Sequence, residues 1–137
     1  MATNYFYEKF VKPYKKYEEE AAERIKKKFN VEILNFNDNN EYDFIDSNDV
    51  KYEVKYDGYS NTSNNFFIEF LGYGKPSGIT VTRAKYYIIT DGNLYLLILT
   101  KKLKKLIKNC PIKFTKDGLT AGHIIDKNII ISNSTLI

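Results

Sequence analysis

Polar and apolar residues alternate without interruption in the segment KYEVKYD, from Lys51 to Asp57. On an extended strand, Tyr52, Val54 and Tyr56 would project from one face, and the four charged residues between and beside them from the other. The alternation therefore predicts a strand. It leaves open whether the charged face is a solvated surface or a reactive one.

A helical period precedes this strand, from Tyr14 to Phe29. Acidic residues come early in the segment and lysines come late, as the helix dipole favours. The apolar stripe of the predicted helix comprises Ala21, Ala22, Ile25 and Phe29. Because Glu18 lies three, four and seven residues before members of this stripe, we expect it at the upper end of the inward face.

Four strand candidates follow one another closely after this helix. They are Val31 to Phe36, Tyr42 to Asp46, Lys51 to Asp57, and Phe66 to Leu71. The segments between them, NDNNE, SND and GYSNTSNN, are rich in Asn, Asp, Ser and Gly, which favour turns. This arrangement predicts an antiparallel meander.

The second half of the chain has a more mixed pattern. Thr80 or Thr82 is predicted to cap a short helix that leads into a strand from Tyr86 to Thr90, and Gly92-Asn93 turns the chain into the strand LYLLIL. The segment TKKLKKLIKN predicts a short basic helix with its lysines solvated, and IIDKNIII predicts a closing hairpin around Lys127-Asn128. The order of elements indicates an α+β fold, an α/β/α-type layer with a mixed central sheet.

Composition limits the class of protein. A chain of 137 residues with 43% hydrophobic residues is expected to form one packed domain over residues 1–137, with its core at about 14–100 and a helix and hairpin at 101–137. One cysteine excludes an intramolecular disulfide, which favours an intracellular setting. The longest apolar run is too short to span a bilayer and the first residues lack the apolar core of a signal peptide, so we expect no membrane partner. The net charge of +4 permits binding to a polyanion without requiring it.

The strongest candidates for catalytic residues are Asp43, Glu53 and Lys55. If the second and third strands pair through a turn at Ser47 to Asp49, these three side chains meet on one side of the sheet. Two neighbouring carboxylates repel each other unless a cation or proton lies between them, and hard oxygen ligands suit Mg²⁺ or Mn²⁺. A nearby lysine could position or deprotonate an attacking water. The alternative is a solvent-exposed strand without a catalytic role, whose charges form weak surface ion pairs.

The pattern of Asp43, nine residues, and then Glu53-Val54-Lys55 resembles the PD-(D/E)XK nuclease superfamily. The order of elements, and the segment KPSGITVTRAKYYII, look similar to small Holliday-junction-resolvase-like endonucleases of archaea, phages and viruses. The resemblance implies a restriction-endonuclease-like core in which Asp43, Glu53 and the Val54 carbonyl bind Mg²⁺ or Mn²⁺ and Lys55 positions a water. Glu18 best matches the family's helix glutamate, which holds a water or a second ion, although Glu19 is one residue away.

The same resemblance implies a metal-dependent endodeoxyribonuclease, with branched DNA as a candidate substrate. Two active sites must act on a junction, so a homodimer is expected by analogy. RNA is an open alternative substrate. The alternative from another class is a nuclease-like module that binds nucleic acid or a protein and cuts nothing.

Further charged residues have two interpretations each. Glu69 could contact Lys55 or add a third acidic group to the site, or it could be an edge-strand charge that discourages aggregation. A glycine-flanked turn and the residues after it could hold a phosphate, or could be a solvated loop. The residues of this candidate nucleic-acid-binding group are Lys75, Ser77, Arg83 and Lys85.

Overall fold

The structure is a computed structural model that describes residues 12–36 and 41–137. The chain start and most of the predicted NDNNE turn lie outside these residues. Helix α1 (Lys12–Phe29) buries Ala21, Ala22 and Ile25, as its period predicts. The prediction for Phe29 is wrong, since its side chain is 45% exposed. Asn30 turns the chain with a φ of 53°, and Val31 is buried in its place.

A six-stranded sheet, called here the mixed sheet, has the order β1-β2-β3-β6-β7-β10. Its strands are β1 (Ile33–Phe36), β2 (Phe44–Asp46), β3 (Lys51–Tyr56), β6 (Tyr86–Thr90), β7 (Tyr95–Leu99) and β10 (Thr135–Leu136). The β3–β6 pair is parallel and the other pairs are antiparallel. The α+β class with a mixed sheet is therefore confirmed.

A second, four-stranded sheet, called here the antiparallel sheet, has the order β5-β4-β9-β8. Its strands are β4 (Asn65–Gly72), β5 (Lys75–Pro76), β8 (Ile112–Phe114) and β9 (Thr120–Asp126). The other helices of the described residues are α2 (Ser60–Ser63), α3 (Thr100–Ile107) and α4 (Lys127–Ser132). As predicted, α3 buries Leu103 and Ile107 and exposes its lysines.

The predicted meander ends at β3. Instead of continuing beside β3, the chain turns through α2 and β4 joins the antiparallel sheet. Phe66 and Ile68 of β4 then pack in one cluster with Tyr87 of the mixed sheet. Burial of these apolar side chains between the two sheets outweighs the short connection that favoured an antiparallel neighbour for β3.

Two further local predictions are wrong. The segment after Ser77 forms only a 3-10 turn (Gly78–Thr80), and Thr82 accepts the Ala84 N–H at 3.1 Å without capping a helix. The segment IIDKNIII forms no hairpin, because Asp126 accepts the Asn128 N–H at 2.7 Å and so caps the start of α4.

The two faces of the mixed sheet have separate cores. On one face, Ala22 and Ile25 of α1 pack with Tyr52 and Val54 of β3. The other face packs against the antiparallel sheet, α3 and α4. Side chains alternate along β3, so Glu53 and Lys55 project toward the antiparallel sheet and away from α1. Among the described residues, no helix is both long enough and apolar enough to cross a membrane.

Candidate active site

The hairpin of β2 and β3 aligns the acidic residues of the candidate site. Phe44 pairs with Tyr52 and Ile45 with Lys51. Asp46 closes the turn, because its Oδ1 accepts the N–H groups of Asn48 and Val50 at 2.8 and 3.1 Å. The predicted pairing through Ser47 to Asp49 is therefore confirmed.

Asp43 directly precedes β2 and lies beside the middle of β3. Its N–H donates to the Tyr52 carbonyl at 2.8 Å, and its Oδ2 accepts the Val54 N–H at 2.7 Å. Because the N–H and C=O of a strand residue point to the same edge, the Val54 carbonyl is on the Asp43 side of β3. These bonds fix the carboxyl group beside Glu53.

The carboxyl groups of Glu53 and Asp43 lie close together, and the pKa of each is raised. Burial and the neighbouring Asp43 raise the pKa of Glu53 to about 8, although Lys55 opposes this rise. Burial likewise raises the pKa of Asp43, against the Val54 N–H and the charge of Lys55. The Lys55 Nζ lies 3.5 Å from Glu53 Oε2 and its side chain is 42% exposed. One half-exposed lysine thus lies near the buried Glu53 carboxyl group and the half-buried Asp43 carboxyl group.

This donor set fits a divalent cation. Both carboxyl groups are hard oxygen donors, and a bound cation would offset the burial that raises both pKa values and the Asp43 charge that further raises that of Glu53. In the described part of the chain, no group of three or more His, Cys, Asp or Glu side chains is arranged to hold a metal ion. Asp43 and Glu53 are therefore the two preassembled donors, and neither Glu18 nor Glu69 is clustered with them.

Glu18 lies on α1, which packs on the opposite face of the mixed sheet. Its carboxylate is 4.0 Å from the Lys15 Nζ. The charge of Lys15 in turn lowers the pKa of Asp43, so this part of α1 is within electrostatic reach of the site. Glu19 is exposed.

The other predicted residues have separate partners. The Ser77 hydroxyl donates to Glu69 Oε2 at 2.7 Å, which accounts for the half-buried Glu69 carboxylate. The Arg83 Nε lies 3.7 Å from Glu41 Oε1, and the Lys85 Nζ lies 5.7 Å from the Tyr86 ring. Lys75 is exposed on β5. The four residues predicted to bind phosphate therefore do not form one cluster of contacts with each other.

Two residues of the site had no assigned role in the sequence prediction. The Thr82 hydroxyl lies 3.3 Å from Glu53 Oε1. Tyr87 is opposite Glu53 in the parallel β3–β6 register, and its buried hydroxyl has no hydrogen-bond partner in the described part of the chain. Burial, followed by the charges of Glu53, Asp43 and Glu69, raises the pKa of Tyr87. No local pattern could identify Tyr87, since its neighbours come from a long-range strand pairing.

No family model, no curated protein and no solved structure matches the chain.

Proposed function

We propose that this protein is a metal-dependent endodeoxyribonuclease of the PD-(D/E)XK type that works inside a cell. The convergence of Asp43, Glu53 and Lys55 at the end of one hairpin carries the proposal. Two adjacent acids with raised pKa values, one buried and one half-buried, beside a lysine are typical of a reactive site rather than of a solvated strand.

The surrounding fold supports a restriction-endonuclease-like core. A helix packs on one face of a mixed sheet, the β2–β3 hairpin carries the acids, and β3 has a parallel neighbour in β6. The helix and the hairpin follow the predicted element order, whereas the fourth strand and the short helix do not.

Each side chain has a role in phosphodiester hydrolysis. Asp43 and Glu53 would hold Mg²⁺ or Mn²⁺, with the Val54 carbonyl as a further ligand. The ion would act as a Lewis acid on a phosphate oxygen. Lys55 would orient the attacking water and offset negative charge on the phosphate. Thr82 would hold the Glu53 carboxyl in place. Glu18, on α1 beside Lys15, would hold a metal-bound water or a second ion.

A cleavage assay tests this proposal. Branched, single-stranded and duplex DNA would be incubated with the protein and Mg²⁺ or Mn²⁺. We expect Glu53→Gln and Lys55→Ala to lower the cleavage rate by about 100-fold or more, because each removes a group that acts on the reacting phosphate. The matched control is Lys51→Ala, on the same strand and the same face.

Equal cleavage by Lys55→Ala and the wild-type protein would contradict the proposed mechanism. DNA binding that depends on salt but not on metal, without any cleavage, would support the binding-module alternative. An RNA substrate in the same assay distinguishes the two nucleic acids.

The proposed partner is DNA, with a branched junction as the shape suggested by the resemblance. Cutting a junction needs two active sites, so we propose a symmetric homodimer. Sedimentation analysis with and without a four-way junction would test this, and a monomer on the cleaved junction would contradict it.

A further inference from the structure

A cavity of about 570 Å³ lies beside the candidate site, lined by residues of both sheets. Sites for small organic ligands commonly span about 300–1,000 Å³. Lys55 belongs to the cavity wall and also lies 3.5 Å from Glu53 Oε2. Lys55 is therefore shared by the cavity and the site of the proposed reaction.

The wall suits a flat, weakly polar ring. Phe67 and Ile124 supply apolar surface, and the aromatic rings of Tyr59 and Phe114 are 69% and 56% exposed. Such rings provide a stacking surface for a nucleobase. The aromatic side chains are therefore accessible to a ligand at the cavity.

The wall carries two acids and two lysines, so its formal charges balance. Its two acids already have partners: Asp57 accepts the N–H groups of Ser60 and Phe67 at 3.2 and 2.9 Å, and Glu69 accepts the Ser77 hydroxyl at 2.7 Å. Lys55 and Lys113 are the cations of the wall. Lys55 is paired with Glu53, whereas the exposed Lys113 offers a cation to the phosphate of a nucleotide whose base lies in the cavity.

Tyr87 adds a specific polar contact. Its side chain is 1% exposed, it lines the cavity, and its hydroxyl has no hydrogen-bond partner among residues 12–36 and 41–137. A buried hydroxyl without a partner is unfavourable. A ring nitrogen or carbonyl oxygen of a nucleobase would accept a hydrogen bond from this hydroxyl.

We propose that this cavity binds the base of an unpaired deoxynucleotide next to the phosphodiester that is cut. The inference rests on the proposed nuclease function for its choice of ligand. A base in a duplex must first be unstacked and unpaired, at a cost in free energy. The substrate class is therefore DNA with unpaired nucleotides, such as single strands or branch points, rather than continuous duplex.

Binding without cleavage tests the proposal. Fluorescence anisotropy in EDTA would compare a labelled single-stranded oligonucleotide with a hairpin duplex of the same sequence. We expect Phe114→Ala to weaken single-strand binding at least about fivefold, because stacking of one base is typically worth that much. Duplex binding should be unchanged, and Phe29→Ala, which removes a 45% exposed ring far along the chain at the end of α1, should change neither.

A second variant and a second ligand sharpen the result. Tyr87→Phe should weaken single-strand binding about threefold or more without lowering the midpoint of urea unfolding, since it removes a hydroxyl that has no partner. With oligonucleotides whose bases are removed to leave abasic sugars, the wild-type protein and Phe114→Ala should bind equally. Unchanged single-strand affinity of Phe114→Ala, or an equal loss for the duplex, would overturn the proposal.

The experiments can overturn either of the two proposals without the other. Cleavage that requires Glu53 but is insensitive to Phe114→Ala, together with unchanged binding, would overturn the base site and leave the nuclease function intact. The expected binding losses without any cleavage in Mg²⁺ or Mn²⁺ would support the base site and overturn the nuclease function.

Discussion

Two contacts between a buried carboxyl group and a lysine have opposite electrostatics in this protein. Asp91 and Lys127 form an enclosed, matched pair, with the Nζ 2.6 Å from Oδ2. Burial alone would raise the pKa of Asp91, but Lys127 and the N–H groups of Asn93 and Leu94 together lower it. This pair joins the β6–β7 turn to the start of α4 and is fully compensated.

At the candidate site the balance is reversed. Asp43 and Glu53 share one half-exposed lysine, and the pKa of each acid is raised. A matched buried pair stabilises the fold against loss of either partner, whereas two acids with one lysine cost stability and favour binding of a proton or a metal ion. The difference separates a structural ion pair from a reactive one, although the residue types are the same.

Removal of each lysine is the strongest test of this difference. We expect Lys127→Ala to lower the free energy of unfolding by about 3–5 kcal/mol, because it leaves the Asp91 charge buried and unpaired. Lys55→Ala should change it by less than about 1 kcal/mol, since Lys55 is half exposed. Urea unfolding at neutral pH measures both. Equal effects of the two variants would contradict the distinction.

The pH dependence of stability should also differ in sign. The raised pKa of Glu53 contributes stability that is fully present below its ordinary value of 4.5 and is lost as pH rises through about 8. Glu53→Gln should therefore gain stability relative to the wild-type protein between those values, measured in EDTA. The lowered pKa of Asp91 contributes stability above its ordinary value of 3.8, which is lost on acidification.

Asp91→Asn is the matched variant for that experiment. The stability that this variant loses relative to the wild-type protein should be greatest at neutral pH. The loss should shrink as pH falls below 3.8, the ordinary pKa of the Asp91 carboxyl group. A Glu53→Gln variant with the same pH profile as Asp91→Asn would show that the two sites do not differ.

Metal affinity should follow the protonation of Glu53. Below a pH of about 8 a divalent ion must displace a proton from this carboxyl group, so Mn²⁺ should bind about tenfold more tightly per pH unit. Calorimetric titration between pH 6 and 7 measures this, and Glu53→Gln should lose the dependence. Asp91→Asn should retain it. An affinity for Mn²⁺ that does not vary with pH would argue against a metal on Glu53.

The smallest expected effect concerns Thr82. Its hydroxyl contacts the Glu41 carbonyl at 3.0 Å and Glu53 Oε1 at 3.3 Å. Thr82→Val should cost about 1 kcal/mol of stability and lower cleavage by about tenfold or less. Thr80→Val, which removes a hydrogen bond to the Phe70 carbonyl at 3.0 Å, should affect stability similarly and leave cleavage unchanged. Loss of cleavage in both variants would make the role of Thr82 purely structural.

Local patterns predicted much of the region around the site. The alternation in KYEVKYD, the helical period before it and the polar turn at Ser47 to Asp49 all correspond to observed elements. They place Glu53 and Lys55 on one face of β3 and Asp43 beside them. These features depend on residues close together in sequence, whose spacing is visible in the chain itself.

Wrong predictions arose where a local pattern had two structural outcomes. The segment IIDKNIII suits a hairpin or a capped helix, and the Asp126 side chain favours the helix by accepting the Asn128 N–H. Phe29 continues the apolar stripe in sequence, but the helix ends there and Val31 takes the buried position.

The sequence by itself determined the elements around the hairpin and the shared face of Glu53 and Lys55, because side-chain spacing is a property of each strand or helix alone. Only the tertiary structure decided that β6 lies parallel beside β3, that β4 belongs to a second sheet, and that Tyr87 lies opposite Glu53. Those outcomes depend on which distant apolar surfaces are buried together, and short-range periodicity carries no information about that choice.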